Sequence, residues 1–242
     1  MNNKVLGFAV AMSLSSSALA GSYQAQLSGG LGLVNVDGAD NATILGVAGE
    51  AYFAPVDTSG KPLGEAAFLT RASNVDASLA FINSDDYDVS RSNIGVEVYI
   101  PNSIVYLGAD YTRVDSDAAD YSSWSITGGV TPIKGLLVTT TYVEDSGYDL
   151  NVAAKYVVPL SGDQAVSFFG SFVDDDSNTI AAGFDFYFNR NFNLGLELVD
   201  SGSDTSYTFS GDYFFSESLF VGAYLTNDDV ADEIGVDVGM RF

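Results

Sequence analysis

Charged residues at alternating positions of the chain are mostly acidic, and the chemistry open to them is electrostatic attraction of cations. The polar side of the alternating segments carries seven acids and two bases, and Arg71 is expected as a third base on that side. The acids are Glu50, Glu97, Asp110, Asp185, Glu197, Asp212 and Asp237, and the two bases are Lys155 and Arg241. Carboxylates around a watery space enrich cations and deplete anions. The alternative for each residue is a solvated position on the wall or a cross-strand ion pair. For Arg71 the candidate partners are Glu50 and Glu97, and the alternative is an interior arginine without an ion pair.

The composition excludes several other kinds of chemistry. The 242 residues include 32 acids, 9 bases, no His and no Cys, for a net charge of -23. Such a charge repels phosphate, so nucleic acid is excluded as a partner. Without His or Cys there is no imidazole base, thiolate nucleophile or zinc–thiolate site. Paired carboxylates for glycoside hydrolysis have no supporting motif, so we expect no enzyme and no cofactor.

Two acidic runs offer oxygen ligands of the kind that calcium and magnesium prefer. They are residues 174–176 and 228–229, all aspartates. Neither run has the D-x-[DN]-x-[DN]-G spacing of a calcium-binding loop. We therefore expect solvated loops and no specific metal site.

The first twenty residues have the pattern of a secretory signal peptide. Met1–Lys4 is a short cationic start, Val5–Leu14 is apolar, and Ala18–Ala20 is an A-x-A cleavage site. We expect cleavage after Ala20, which leaves residues 21–242 as a single domain. No later apolar run is long enough for a membrane-spanning helix.

Alternation with a period of two dominates the rest of the chain. From Ile234 to Phe242, for example, apolar residues alternate with Gly, Asp and Arg, which is typical of a strand with one apolar and one polar face. The pattern predicts about fourteen strands, with twelve or sixteen as alternatives, and essentially no helix. The third strand is predicted at Glu65–Ile82, with a bulge near Ser73 where the alternation changes face.

The connections between these segments alternate in character. One kind is acidic, and the other is short and poor in acids, with a longer first member at Asp57–Gly64. None is expected to exceed about ten residues, so none is expected to enter the interior.

The apolar face of each strand is expected to contact lipid rather than a second sheet. The polar faces consist of small residues, aromatic residues gather near strand ends, and acids occur in every other connection. These features are typical of a membrane barrel, apolar outside and polar inside. Unpaired strand edges are not tolerated in hydrocarbon, so the first and last strands must pair. We predict an all-β fold, a transmembrane antiparallel up-and-down β-barrel with both termini on the periplasmic side.

Two segments resemble known outer-membrane proteins. Residues 62–73, PLGEAAFLTRAS, are similar to the general bacterial porin family, and a terminal Phe242 resembles the assembly signal of outer-membrane barrels. The resemblance implies a pore for small hydrophilic solutes, in the Gram-negative outer membrane. The chain departs from typical trimeric porins in length and in lacking a long loop for the lumen.

These observations predict a porin for passive diffusion of small hydrophilic solutes, with a preference for cations. The alternative is a structural or surface-interaction barrel without significant transport. The expected partners are outer-membrane lipid, solutes or cations and the barrel-assembly machinery, and a homo-oligomer is left open as an alternative to a monomer. The bulky Phe169, Tyr187 and Val199 are expected to point inward, which counts against a wide pore.

Overall fold

The computed structural model describes residues 21–36, 41–84, 88–116, 120–144, 150–174, 178–202, 204–228 and 231–242. The predicted signal peptide and most of the two acidic runs lie outside these ranges. Within them the strands are β1 Ser22–Val36, β2 Ala42–Asp57, β3 Asn74–Asn83, β4 Asp88–Tyr99, β5 Val105–Ser116, β6 Tyr121–Val130, β7 Leu136–Val143, β8 Leu150–Pro159, β9 Ala165–Asp174, β10 Thr179–Asn189, β11 Phe192–Asp200, β12 Thr205–Ser216, β13 Leu219–Asn227 and β14 Ala231–Arg241.

The strands form one closed antiparallel barrel in which each strand pairs with its neighbours in the chain. Closure is made by β1 and β14, which pair from Gln26 with Arg241 to Val36 with Ala231. The last residue extends this seam, because the carbonyl oxygen of Phe242 accepts hydrogen bonds from the N–H groups of Gln24 (2.5 Å) and Ala25 (3.1 Å). The predicted fourteen-stranded barrel is confirmed.

Large apolar side chains cover the outer face of the barrel. Leu31, Ile94 and Val236 are each more than half exposed although they lie in the middle of long strands. Burying apolar surface yields roughly 25 cal/mol per Å², so such a belt is stable only against another apolar phase. Inward positions are small and polar, as where the hydroxyls of Thr127 and Thr141 lie 2.9 Å apart. Among the described residues, no helix is long and apolar enough to cross a bilayer.

The chain between β2 and β3 differs from the sequence-based expectation. Residues 65–73 were predicted as the first half of a strand, but a 3-10 turn at Leu63–Glu65 leads into a helix, α1, at Ala66–Thr70. The connection therefore covers residues 58–73 and is longer than the expected maximum of ten. The physical reason is composition, because residues 62–69 contain no β-branched side chain and consist mainly of good helix formers.

Candidate functional site

Residues 58–73, here called the lumen segment, lie inside the barrel at the end that carries both termini. Glu65 is almost fully buried, with 2% of its surface exposed. Its carboxylate accepts a hydrogen bond of 3.1 Å from the hydroxyl of Tyr187 on β10 and lies 2.8 Å from the ammonium of Lys155 on β8. Because both partners face inward from distant strands, the segment cannot be a surface loop.

An apolar contact holds the start of the lumen segment against the wall. Leu63 is buried in a cluster with Phe214 of β12 and Phe220 of β13. Its N–H donates to the carbonyl oxygen of Arg190 (2.8 Å), and its own carbonyl oxygen accepts from Arg241 Nη1 (2.9 Å). Both backbone polar groups of this buried residue are therefore satisfied, as burial requires.

Arg71 holds the other end of the lumen segment. It adopts the left-handed conformation, with φ of 53°, at the end of α1. Its guanidinium donates to the carbonyl oxygens of Thr131 (3.2 Å) and Ser103 (3.5 Å), in the turns that flank β5 and β6. The prediction that Arg71 lies on a strand is wrong, and its polar partners are carbonyl groups rather than Glu50 or Glu97. The segment thus crosses the lumen from one wall to the other.

Four acids lie on the inner face of β2–β5. Cross-strand pairing joins Glu50 with Asp76 and places Gly95 between Asp76 and Asp110. Neutral groups orient the fourth acid, Glu97, whose carboxylate accepts from Tyr106 Oη (2.7 Å) and Asn74 Nδ2 (3.2 Å). The sequence does not predict Asp76 as inward, because the strand predicted at Glu65–Ile82 starts too early and leaves the facing of its residues undefined. The alternation of Asp76 with the apolar Val75, Ala77 and Leu79 is the signal that assigns it to the polar face.

Five further acids lie on the inner faces of β10–β12 and β14, and the sequence analysis missed one of them. They are Asp185, Glu197, Asp212, Glu233 and Asp237. The acid not predicted is Glu233, which lies one residue before the start of the alternation predicted from Ile234. Its carboxylate accepts a hydrogen bond from the hydroxyl of Tyr224. A glycine separates two of these acids, since a Cβ at Gly222 would collide with the carboxylates of both Asp212 and Asp237.

The two predicted wall bases are directed at the lumen segment. Lys155 pairs with Glu65, as described above. Arg241 is 6% exposed, donates to Gln26 Oε1 at 2.6 Å, and stacks on the rings of Tyr23, Phe214 and Phe220 at 4.5, 4.6 and 5.4 Å from their centroids. In the described parts of the chain, ion pairs involve none of the nine wall acids.

Comparison with known proteins is consistent with this architecture. The family model for "putative general bacterial porin" matches residues 4–145 and 130–242. The chain belongs to this family. Membership indicates a channel rather than an enzyme and implies an outer-membrane location, contact with membrane lipid and passage of small solutes.

Several solved structures match this porin over most of its length. The outer membrane protein Omp33 of Acinetobacter baumannii has a TM-score of 0.75 at 23% identity, covering 91% of this porin and 99% of that chain. A KdgM porin (TM-score 0.47, 10% identity, 89% and 99% covered) and a mutant of the Rh. blastica porin (0.47, 14%, 91% and 99%) also match. No curated protein sequence matches significantly. The similarity to Omp33 shows a shared fold.

Inward aromatic side chains of the porin lie along its wall. A Cβ at Gly183 would meet the ring of Phe169, and one at Gly235 would meet the ring of Tyr224. Each ring therefore occupies the space that the neighbouring strand's glycine leaves, an arrangement known to stabilise strand pairs. Of the other inward residues predicted to narrow the pore, Tyr187 is 4% exposed and bound to Glu65, and Val199 pairs with Ala181 on the inner face.

A cavity of about 350 Å³ lies where the lumen segment meets the wall of the porin. Its lining includes Glu50, Tyr52, Glu65, Phe68, Glu97 and Tyr99. Acids from the β2–β4 wall thus face aromatic and acidic side chains of the segment. A solute that enters from the opposite end of the barrel meets the wall acids first and this cavity at the segment.

Proposed function

We propose that this porin is a passive diffusion channel that prefers cations to anions. The observation that carries the proposal is the excess of acidic over basic side chains on the inner face of the barrel. Nine wall acids form no ion pair among the described residues. The inward bases are fewer: Lys155 and Arg241 are bound to the lumen segment, and Arg91 of β4 pairs with Ala80 on the inner face. The field inside the barrel is therefore negative, and a negative field lowers the energy of an entering cation.

The lumen segment would limit which cations pass. It crosses the lumen and is held by contacts from β8, β10 and β14 and by the turns around β5 and β6. We infer that small ions pass beside it more readily than larger hydrophilic solutes do. The same observation favours the second candidate, a barrel without significant transport, if the segment seals the lumen.

The orientation in the membrane belongs to the same proposal. A signal peptide cleaved after Ala20 would deliver the chain to the periplasm, and the barrel-assembly machinery would recognise the strand that ends in Phe242. The end with both termini and the lumen segment would then face the periplasm, and the acidic connections would face outward. A homo-oligomer remains a prediction.

Reversal potentials in planar bilayers test the proposal. With purified porin and a KCl gradient, we expect a potential of cation sign, reduced in a Glu50→Gln, Glu97→Gln, Asp110→Asn variant. A control with three neutralised acids in exposed connections, at Asp120, Asp163 and Asp204, should keep more of the preference. A potential of zero or anion sign would refute cation preference, and absence of conductance would favour the non-transporting barrel.

A further inference from the structure

We propose that the cavity between the lumen segment and the β2–β4 wall binds a small organic cation of the aliphatic amine class. This inference rests on the proposed function and names the class of solute that its negative lumen would hold. The volume of the cavity, about 350 Å³, is within the range of binding sites for small molecules. A single metal ion would leave most of that space empty, and the described residues contain no group of three or more acids placed to hold one.

The carboxylates of this cavity are oriented by neutral donors. Tyr52 donates to Glu50, and Glu97 accepts from the Tyr106 hydroxyl and the Asn74 amide. Such donors fix the position of a carboxylate without forming an ion pair with it, so among the described residues neither Glu50 nor Glu97 is in direct contact with a cation. A ligand that brings N–H donors together with positive charge would supply what these two acids lack, through charge-assisted hydrogen bonds.

The porin's own lysine shows that the cavity accommodates an ammonium group. Lys155 Nζ lies 2.8 Å from a Glu65 carboxylate oxygen and 5.0 Å from the centre of the Phe68 ring. An ammonium between a carboxylate and an aromatic face combines ion pairing with a cation–π interaction. Glu50 and Glu97 lie with the aromatic Tyr52 and Tyr99 in the same cavity, and Lys155 is ion-paired with Glu65 rather than with either of them.

The rest of the lining favours an apolar stem on the ligand. The lumen segment contributes apolar side chains to the lining of the cavity, namely Ala67, Phe68 and Ala72. The cavity's other base, Arg241, is 6% exposed and already stacks on three rings, so it offers little to an anionic group. An aliphatic chain that carries ammonium groups matches this combination better than an anion, a sugar or an inorganic ion does.

Block of potassium current by the diamine cadaverine tests the inference. Added on the side of the acidic connections, cadaverine should reduce the current through the porin, whereas the neutral pentanediol should not. A Glu50→Gln, Glu97→Gln variant should raise the half-blocking concentration by at least about tenfold, since the loss of even one charge-assisted bond is worth about a tenfold change. A Glu233→Gln, Asp237→Asn variant removes the same charge elsewhere on the wall and should change the half-blocking concentration far less.

Titration calorimetry on the folded porin in detergent gives a readout that does not depend on conductance. Cadaverine should release binding heat with the wild type and the control variant, and little with the Glu50→Gln, Glu97→Gln variant. A cation-selective channel that shows neither block nor binding heat would overturn this inference and leave the proposed function intact. Equal loss of block in both variants would also overturn it, because a diffuse negative field would then explain the effect. A channel without cation preference would instead refute the proposed function.

Discussion

Arg241, the penultimate residue, donates a hydrogen bond of 2.9 Å to the carbonyl oxygen of Leu63 in the lumen segment. The same guanidinium donates to Gln26 Oε1 on β1 at 2.6 Å, across the seam that closes the barrel. One side chain therefore joins the first strand, the last strand and the lumen segment. The contacts that hold the lumen segment in place therefore include the seam that closes the barrel.

The Arg241→Lys variant should conduct more potassium current than the wild type. Lysine keeps the charge, so the field in the lumen is unchanged, but a single ammonium cannot reproduce the fork that reaches both Gln26 and Leu63. An unsatisfied buried carbonyl costs about 1–3 kcal/mol, which weakens the seating of the lumen segment. Single-channel recordings measure the effect.

A conservative change at an exposed arginine is the control for this experiment. Arg113 pairs with Asp115 on the outer surface, with 54% of its side chain exposed. Arg113→Lys should therefore conduct as the wild type does. Equal conductance of Arg241→Lys and wild type, both folded, would show that this hydrogen bond does not hold the segment in place.

The sequence predicted the barrel because its strands need no tertiary information to be recognised. Alternation such as that from Ile234 to Phe242 follows from a wall with lipid on one side and polar groups on the other. The lumen segment depends on contacts that alternation does not encode, such as those of Glu65 with Tyr187 and Lys155. Its helix-forming composition was visible in the sequence, but the left-handed Arg71 and its carbonyl partners were not.

The Gly183→Ala variant should narrow the channel. A Cβ at this position would lie 2.6 Å from an edge atom of the Phe169 ring and 2.7 Å from the carbonyl oxygen of Leu196. The carbonyl belongs to the barrel backbone and cannot yield easily, so the ring should turn into the lumen. We expect lower conductance and a stability loss of about 1–3 kcal/mol, as for other overpacked sites.

Two further variants decide whether the ring is responsible. At the inward Gly46 an added Cβ meets nothing within 4 Å, so Gly46→Ala should conduct as the wild type does. Adding Phe169→Ala to Gly183→Ala should restore the conductance. If the double variant stays narrow, the backbone at Gly183 rather than the ring sets the width.

Removing Phe242 should reduce the amount of folded barrel in the outer membrane. The deletion eliminates the two hydrogen bonds accepted by its carbonyl oxygen and the one that its N–H donates to Ala25 (2.9 Å). Heat-modifiable migration on gels measures the folded fraction. A Phe242→Ala variant keeps these backbone bonds, so a loss of assembly in that variant as well would assign the signal to the aromatic side chain. Full insertion of the truncated chain would contradict any role for the residue.

The stability of the porin should fall in acid through Glu217, in the turn between β12 and β13. Its carboxylate accepts hydrogen bonds from the N–H of Gly21 (2.7 Å), Thr58 Oγ1 (3.1 Å) and Arg190 Nη2 (3.3 Å). Burial alone would raise the pKa of Glu217, but these donors outweigh it and hold the pKa below its usual value of 4.5. If cleavage after Ala20 occurs, the Gly21 nitrogen becomes an ammonium group and strengthens this contact.

A group with a lowered pKa in the folded state contributes stability above its unfolded pKa and loses it as the pH falls through the folded value. Thermal unfolding from about pH 7 to about pH 3 should therefore show a steeper loss for wild type than for Glu217→Gln. Water screens this partly exposed carboxylate, so the difference at neutral pH should be at most about 1 kcal/mol. Asp163→Asn, in another exposed turn, should retain the wild-type slope. If the unfolding temperatures of wild type and Glu217→Gln fall in parallel as the pH is lowered, the hydrogen bonds of Glu217 with Gly21, Thr58 and Arg190 contribute nothing to stability.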